Sequence, residues 1–147
     1  MIKTLFLLLT IVLTSCSTER REFYFGNCLV KIPKGYEEDK YTKFHADFRR
    51  YSEDGPSMIV LKRKPIDFED KLKDKEYELV KFINHQNIKA WVYDFIDAET
   101  SFRIIYIEKD NQLLILLGTP ISELKLILGN CFDEAFIEEL VVNKKGK

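Results

Sequence analysis

Catalysis needs nucleophiles, titratable groups or metal ligands that can converge, and this chain holds few of them at telling spacings. Its two histidines, His45 and His85, are forty positions apart. Neither stands at metal-type spacing from a cysteine, so solvated side chains are the simpler reading. Ser52, Ser57, Ser101 and Ser122 fall in turns or at caps, where serine serves the backbone, and none sits in a GxSxG-like elbow. The six glycines are scattered and form no phosphate-cradling loop. Carboxylates are plentiful, so paired acid–base chemistry stays open by inventory. Asp94 draws notice because it shares a strand face with Ile88, Ala90 and Val92, although a strand-end carboxylate reaching water is the plainer account. Glu37-Glu38-Asp39 and the trio Asp67, Glu69 and Asp70 read as solvated surface. The expectation is a protein that is not an enzyme and needs no metal or other cofactor.

The residue with the clearest chemistry is Cys16. Lys3 supplies a positive start, and the nine residues from Leu5 to Leu13 form an apolar run. That run has the length of a secretory core and is too short to cross a bilayer. Thr14 and Ser15 provide small residues ahead of the cysteine. Leu13-Thr14-Ser15-Cys16 resembles the lipobox of bacterial lipoproteins. The resemblance implies that the Cys16 thiol takes a diacylglycerol, that residues 1–15 are removed, and that the new amino group is acylated. An ordinary secretory signal containing a cysteine is the alternative. With two or more acyl chains, Cys16 would anchor the protein firmly in the lipid bilayer. Ser17, where lipoproteins retained at the inner membrane carry aspartate, implies the outer membrane facing the periplasm.

Residues 16–22 then serve as the lipidated cysteine and a tether reaching only ~20 Å when extended. Residues 23–143 are long enough for one domain with one core. A formal net charge of −1 gives no electrostatic reason to expect nucleic acid. Seven tyrosines and eleven phenylalanines against four prolines indicate a packed domain. Cys28 and Cys131 remain once Cys16 is acylated. In an oxidising compartment they read as a disulfide, while two buried free thiols are the alternative.

The elements that would position these residues are mostly strands. Phe23 to Ile32 has strand composition, bent or bulged at Gly26-Asn27 and stopped by Pro33. Residues 43–52 and Met58 to Lys64 make a hairpin about Glu53-Asp54-Gly55-Pro56. If Asp54-Gly55 centres that turn, Asp47 faces Lys62. Asp67 can cap a short helix holding Phe68 and Leu72. Glu76 to Ile83 suits helix or strand, with strand preferred because Asn84-His85-Gln86-Asn87 turns the chain into another alternating run. In that run, Ile88 to Ile96, both faces are apolar, which suggests a central strand. Asp97 to Ser101 and Asp110-Asn111 turn the chain through Phe102 to Ile107 and Leu113 to Leu117. Thr119-Pro120 then reads as cap and first position of a C-terminal helix, weakened at Gly129, with two short helices as the alternative. The predicted fold is α+β, a two-layer sandwich of an antiparallel meander sheet with a C-terminal helix packed on one face. The strand order loosely resembles small Mog1/PsbP-type domains, which implies a fold and no activity.

Two surfaces invite a partner. Arg49, Arg50, Lys62, Arg63 and Lys64 would share one hairpin, as a patch for an acidic protein or anionic headgroups or as charge that protects an edge. Trp91, Tyr93 and Phe95 have the composition of a binding hot spot, with core packing against a helix as the alternative. The expected function is non-enzymatic binding of another envelope protein, in assembly, masking or toxin immunity. A carrier or sensor of a small apolar ligand would instead need a cavity beneath Leu113 to Leu117, and a hydrolase would need converging catalytic side chains.

Overall fold

The computed structural model describes residues 21–41, 44–64, 69–72, 77–96 and 101–141. The lipobox, the expected Asp67 cap with Phe68, and most of the expected turn after Ile96 lie outside them. The chain opens with a hairpin, β1 (Glu22–Phe25) and β2 (Cys28–Lys31). Here Gly26-Asn27 does more than bend one strand. Gly26 has φ +59°, which glycine adopts without steric cost, and the chain reverses so that Phe25 pairs with Cys28.

The remaining strands are β3 (Glu37–Glu38), β4 (Ala46–Ser52), β5 (Gly55–Lys62), β6 (Tyr77–His85), β7 (Ile88–Ile96), β8 (Ser101–Lys109) and β9 (Gln112–Leu117). They form one antiparallel sheet in the order β3-β4-β5-β9-β8-β7-β6. Helix α1 (Glu69–Leu72) lies between β5 and β6, while α2 (Ile121–Leu128) and α3 (Glu134–Val141) close the chain. The α+β sandwich is therefore present, with two C-terminal helices in place of one continuous helix. Gly129 stands at the C-cap of α2, and Asp133 restarts the chain by accepting a hydrogen bond from the Phe136 N–H at 2.8 Å.

Period-two alternation sorts the sheet into two faces. Ala46, Phe48, Ile59, Leu61, Val92, Ile105, Leu114 and Leu116 point inward and share a core with α2, α3 and the β1–β2 hairpin. Phe23 stacks on Phe48 with ring centroids 5.8 Å apart, and Phe25 meets Phe132 at 6.3 Å. The hairpin is held at three further points. Its Gly26 N–H donates to Gln112 Oε1 and its Asn27 side chain accepts from Lys109, both at the β8–β9 turn. Cys28 is disulfide-bonded to Cys131 between the helices, with Cα atoms 5.1 Å apart and a sequence separation of 103. In a chain-entropy picture a loop of that length contributes about 4–5 kcal/mol at most. The sequence places these two cysteines as a pair, and the fold brings them together.

Three local expectations need correction. The β4–β5 turn centres on Glu53-Asp54, because Ser52 pairs with Gly55, so Asp47 faces Val60 and not Lys62. Gly55 then supplies φ +108° just after the turn. Strand β7 lies next to the β6 edge, and β9 takes the centre. Pro120, not Thr119, occupies the N-cap of α2, which has no side-chain cap bond.

Candidate functional site

The basic residues grouped by sequence do not form one patch. Arg49 and Arg50 are neighbours on a strand, so their side chains leave by opposite faces. Arg50 turns inward, where its guanidinium donates two hydrogen bonds to Glu123 of α2 at 2.6 and 3.1 Å and lies 4.5 Å from the centre of the Tyr36 ring. The Tyr36 hydroxyl also donates to Glu123, at 3.3 Å, and burial pushes its pKa up. Arg49 turns outward and grips Asp47 with bonds of 3.0 and 2.9 Å, which hold its guanidinium more firmly charged than usual. Asp47 is wholly buried. A buried carboxylate needs such a partner, because removing one member of the pair strands the other charge away from water. Both arginines are therefore structural clamps.

Lys62, Arg63 and Lys64 stay together at the end of β5. The Lys62 ammonium lies 4.3 Å from the Phe44 ring centre, and Arg63 Nε donates to His45 Nδ1 at 3.3 Å. His85 lies beside Glu139 of α3 at 3.6 Å, and Lys81 reaches the same carboxylate at 3.1 Å. The hydrogen bond from Lys81 is the main cause of the lowered Glu139 pKa. Asp94 sits on the inner face as the sequence places it, and its carboxylate accepts from Arg103 Nε and Nη2 at 2.7 and 2.9 Å while Nη1 donates to the Leu140 carbonyl. That arrangement ties β7 and β8 to the end of α3. It is a bidentate structural pair. Among the described residues no group of three His, Cys, Asp or Glu side chains is placed to hold a metal.

The outer face is different. Its strands β6, β7 and β8 carry a tier of rings: Tyr77 meets Phe95 at 5.2 Å, Phe95 stacks on Phe102 at 4.8 Å, Tyr93 meets Tyr106 edge-on at 6.1 Å, and Phe82 meets Trp91 at 5.3 Å. Such pairs each contribute ~0.5–1.5 kcal/mol beyond area burial. Helices α2 and α3 pack on the other side of the sheet, so the helix that meets these rings is the short α1. Leu72 of α1 joins Tyr93, Ile104, Tyr106 and Leu113 in a second, smaller cluster. Burial pushes the Tyr106 hydroxyl up to about 12 and raises Tyr93 as well, the latter with help from Glu69.

That cover thins out toward β6. Leu79 is 45% exposed and Phe82 48% exposed, both on the outer face of a nine-residue strand at the end of the sheet order. The opposite edge, β3, is only two residues long. Short edges deter strand addition, whereas a long edge carrying apolar side chains invites it. A register irregularity between Leu79 and Lys81 twists this edge locally without covering it. Leu79 and Phe82 went unrecognised in the sequence because helix and strand both fit Glu76 to Ile83. The alternation of Phe82 with Ile83, once read as strand, is the signal that separates them.

On the inner side, a groove of about 260 Å³ opens between α2 and β8–β9, lined by Phe102, Ile105, Leu116, Ile121, Leu124 and the Asp94–Arg103 pair. It lies below the ~300–1,000 Å³ typical of small-molecule sites. The chain matches no protein-family model and no curated protein sequence. What defines it is therefore its own architecture: a disulfide-braced sandwich with one closed sheet face and one aromatic face that is closed only in part.

Proposed function

We propose that this is a lipid-anchored envelope lipoprotein that acts without catalysis, by binding another envelope protein through the outer face and open edge of β6. The observation that carries the binding reading is the pair Leu79 and Phe82, half-exposed beside a continuous aromatic tier on a long strand edge. Exposed apolar groups of that size on a sheet edge mark interaction surfaces, and aromatic side chains dominate binding energy where they become buried. Main-chain pairing with β6 would supply register, and the side chains on alternate positions would supply specificity. Lys62, Arg63 and Lys64, at the end of β5, would steer an acidic partner without holding it. Acylated Cys16 supplies the bilayer anchor, at the outer membrane facing the periplasm, and assembly, masking and toxin-immunity roles all fit such a tethered binder.

The test is quantitative co-purification of the tagged, lipidated protein from gently solubilised envelopes. Wild type is expected to recover one near-stoichiometric partner. Replacing Leu79 and Phe82 together with serine should abolish recovery while the thermal transition stays intact, and Cys16→Ala should lower recovery by removing the tether. No enriched partner across several detergents would defeat the proposal. Extraction of a bound apolar molecule from the Leu116–Leu124 groove would favour a carrier in its place.

A further inference from the structure

If Cys16 is the anchor, the fold has a definite side on which the bilayer must lie. Cys16 stands six residues ahead of Glu22, the first residue of β1. An extended tether of that length reaches ~20 Å, so the β1–β2 hairpin cannot leave the neighbourhood of the lipid. This hairpin belongs to the helix layer, since Phe23, Phe25 and Val30 bury into the inner core. Alternation then turns Glu22, Tyr24, Leu29 and Lys31 away from the protein. Tyr24 is 65% exposed and pairs across the hairpin with half-buried Leu29, while Lys31 and Lys34 are exposed beside them. A tyrosine with an aliphatic neighbour and flanking lysines matches the chemistry of a headgroup region, where amphipathic rings settle and ammonium groups meet anionic phosphates.

We infer that the outer surface of the β1–β2 hairpin, with Tyr24 at its centre, rests on the bilayer that holds Cys16, and so points the aromatic β6–β8 face away from the membrane. The inference rests on the lipoprotein reading and adds an orientation to it. Packed sheets are spaced roughly 10 Å apart, so the outer face of the large sheet lies at least that much farther from the lipid than Tyr24 does. The tethered layer faces lipid, and the open edge faces the aqueous side where a partner can arrive.

The chain contains a single tryptophan, Trp91, on the outer face, so the protein carries its own probe. Lipidated full-length protein would be reconstituted into phosphatidylethanolamine–phosphatidylglycerol vesicles containing brominated acyl chains. Wild-type Trp91 emission should be unaffected by the bromines. A Tyr24→Trp, Trp91→Phe protein should lose most of its emission in the same vesicles. Quenching of wild-type Trp91 would overturn the inference without any variant. An unquenched Tyr24→Trp probe in protein whose Cys16 is acylated by mass would overturn the orientation alone. An unmodified Cys16 would remove the anchor, and with it both the lipoprotein reading and the orientation.

Discussion

The two faces of the large sheet are made from the same strands yet are solved differently. The inner face is closed mainly by aliphatic side chains: Ile59, Leu61, Ile107, Leu114 and Leu116 are essentially without solvent contact beneath α2, α3 and the hairpin. The outer face is built from rings and charges. At its β4 end a buried carboxylate is neutralised by Arg49, and at its β6 end the apolar cover runs out. Over most of the inner face aliphatic side chains exclude water at high packing density. The outer face retains large rings with incomplete cover, an arrangement that a purely structural surface has no need of.

The largest effect should separate the faces outright. Phe48 is 1% exposed and stacked on Phe23, so Phe48→Ala is expected to destabilise by ~3–5 kcal/mol through lost burial and a cavity. Phe82→Ala, on the half-exposed edge, should cost less than ~1 kcal/mol and still weaken partner recovery. Urea unfolding of both variants checks this. Similar losses at the two positions would mean that the outer face is ordinary core, and the comparison would collapse.

A second effect tests the charged end. Arg49→Met leaves the Asp47 carboxylate buried without its guanidinium, and should cost about 3 kcal/mol, toward the lower end of the buried-pair range because the Arg49 side chain is itself 33% exposed. Adding Asp47→Leu should recover much of that loss, since a buried ion pair often contributes little over well-packed apolar groups. A double variant no more stable than the single would show that Asp47 holds the fold through bonds beyond this pair.

Much of this architecture was legible in the chain. Alternation and turn residues locate the hairpins of the large sheet, though not the reversal at Gly26-Asn27, and Asp110 and Asn111 do adopt the positive φ, 49° and 60°, that a tight two-residue turn requires. Local pattern does not encode long-range pairing, so β9 inserting between β5 and β8 could not be read, and β7 seemed central merely because both its faces are apolar. Arg49 and Arg50 were grouped by composition, although strand periodicity alone sends them to opposite faces. Asp47 alternates with Ala46 and Phe48, so strand periodicity sets it on the opposite face but does not show that this face is also covered there. Cys28 and Cys131 were recognisable as a pair, whereas their proximity depends on where the hairpin settles against the helices. The candidate edge was the least legible part: exposure of Leu79 and Phe82 follows from β6 ending the sheet, a property of topology and not of composition.

The smallest effect is the most discriminating about how closed the outer face is. Tyr106 is buried among Tyr93, Tyr77 and Leu113, and its hydroxyl is raised to about 12 from an ordinary value of 10.0, by burial first. A tyrosine whose pKa is raised on folding is held neutral by the fold, so the stability linked to it is complete below its unfolded pKa. That contribution is lost as pH climbs from about 10 through about 12, where ionisation would put a phenolate into the cluster. Ultraviolet titration should therefore show a late ionisation near pH 12 that loses one tyrosine in Tyr106→Phe. The same variant should flatten the alkaline fall in stability between those pH values, while the ring keeps its edge-on contact with Tyr93. If Tyr106 ionised near the ordinary value of 10.0, water would already reach the middle of the ring tier. The binding surface would then extend inward from β6 to β8, and Tyr93 and Tyr106 would join Leu79 and Phe82 as groups buried only when a partner arrives.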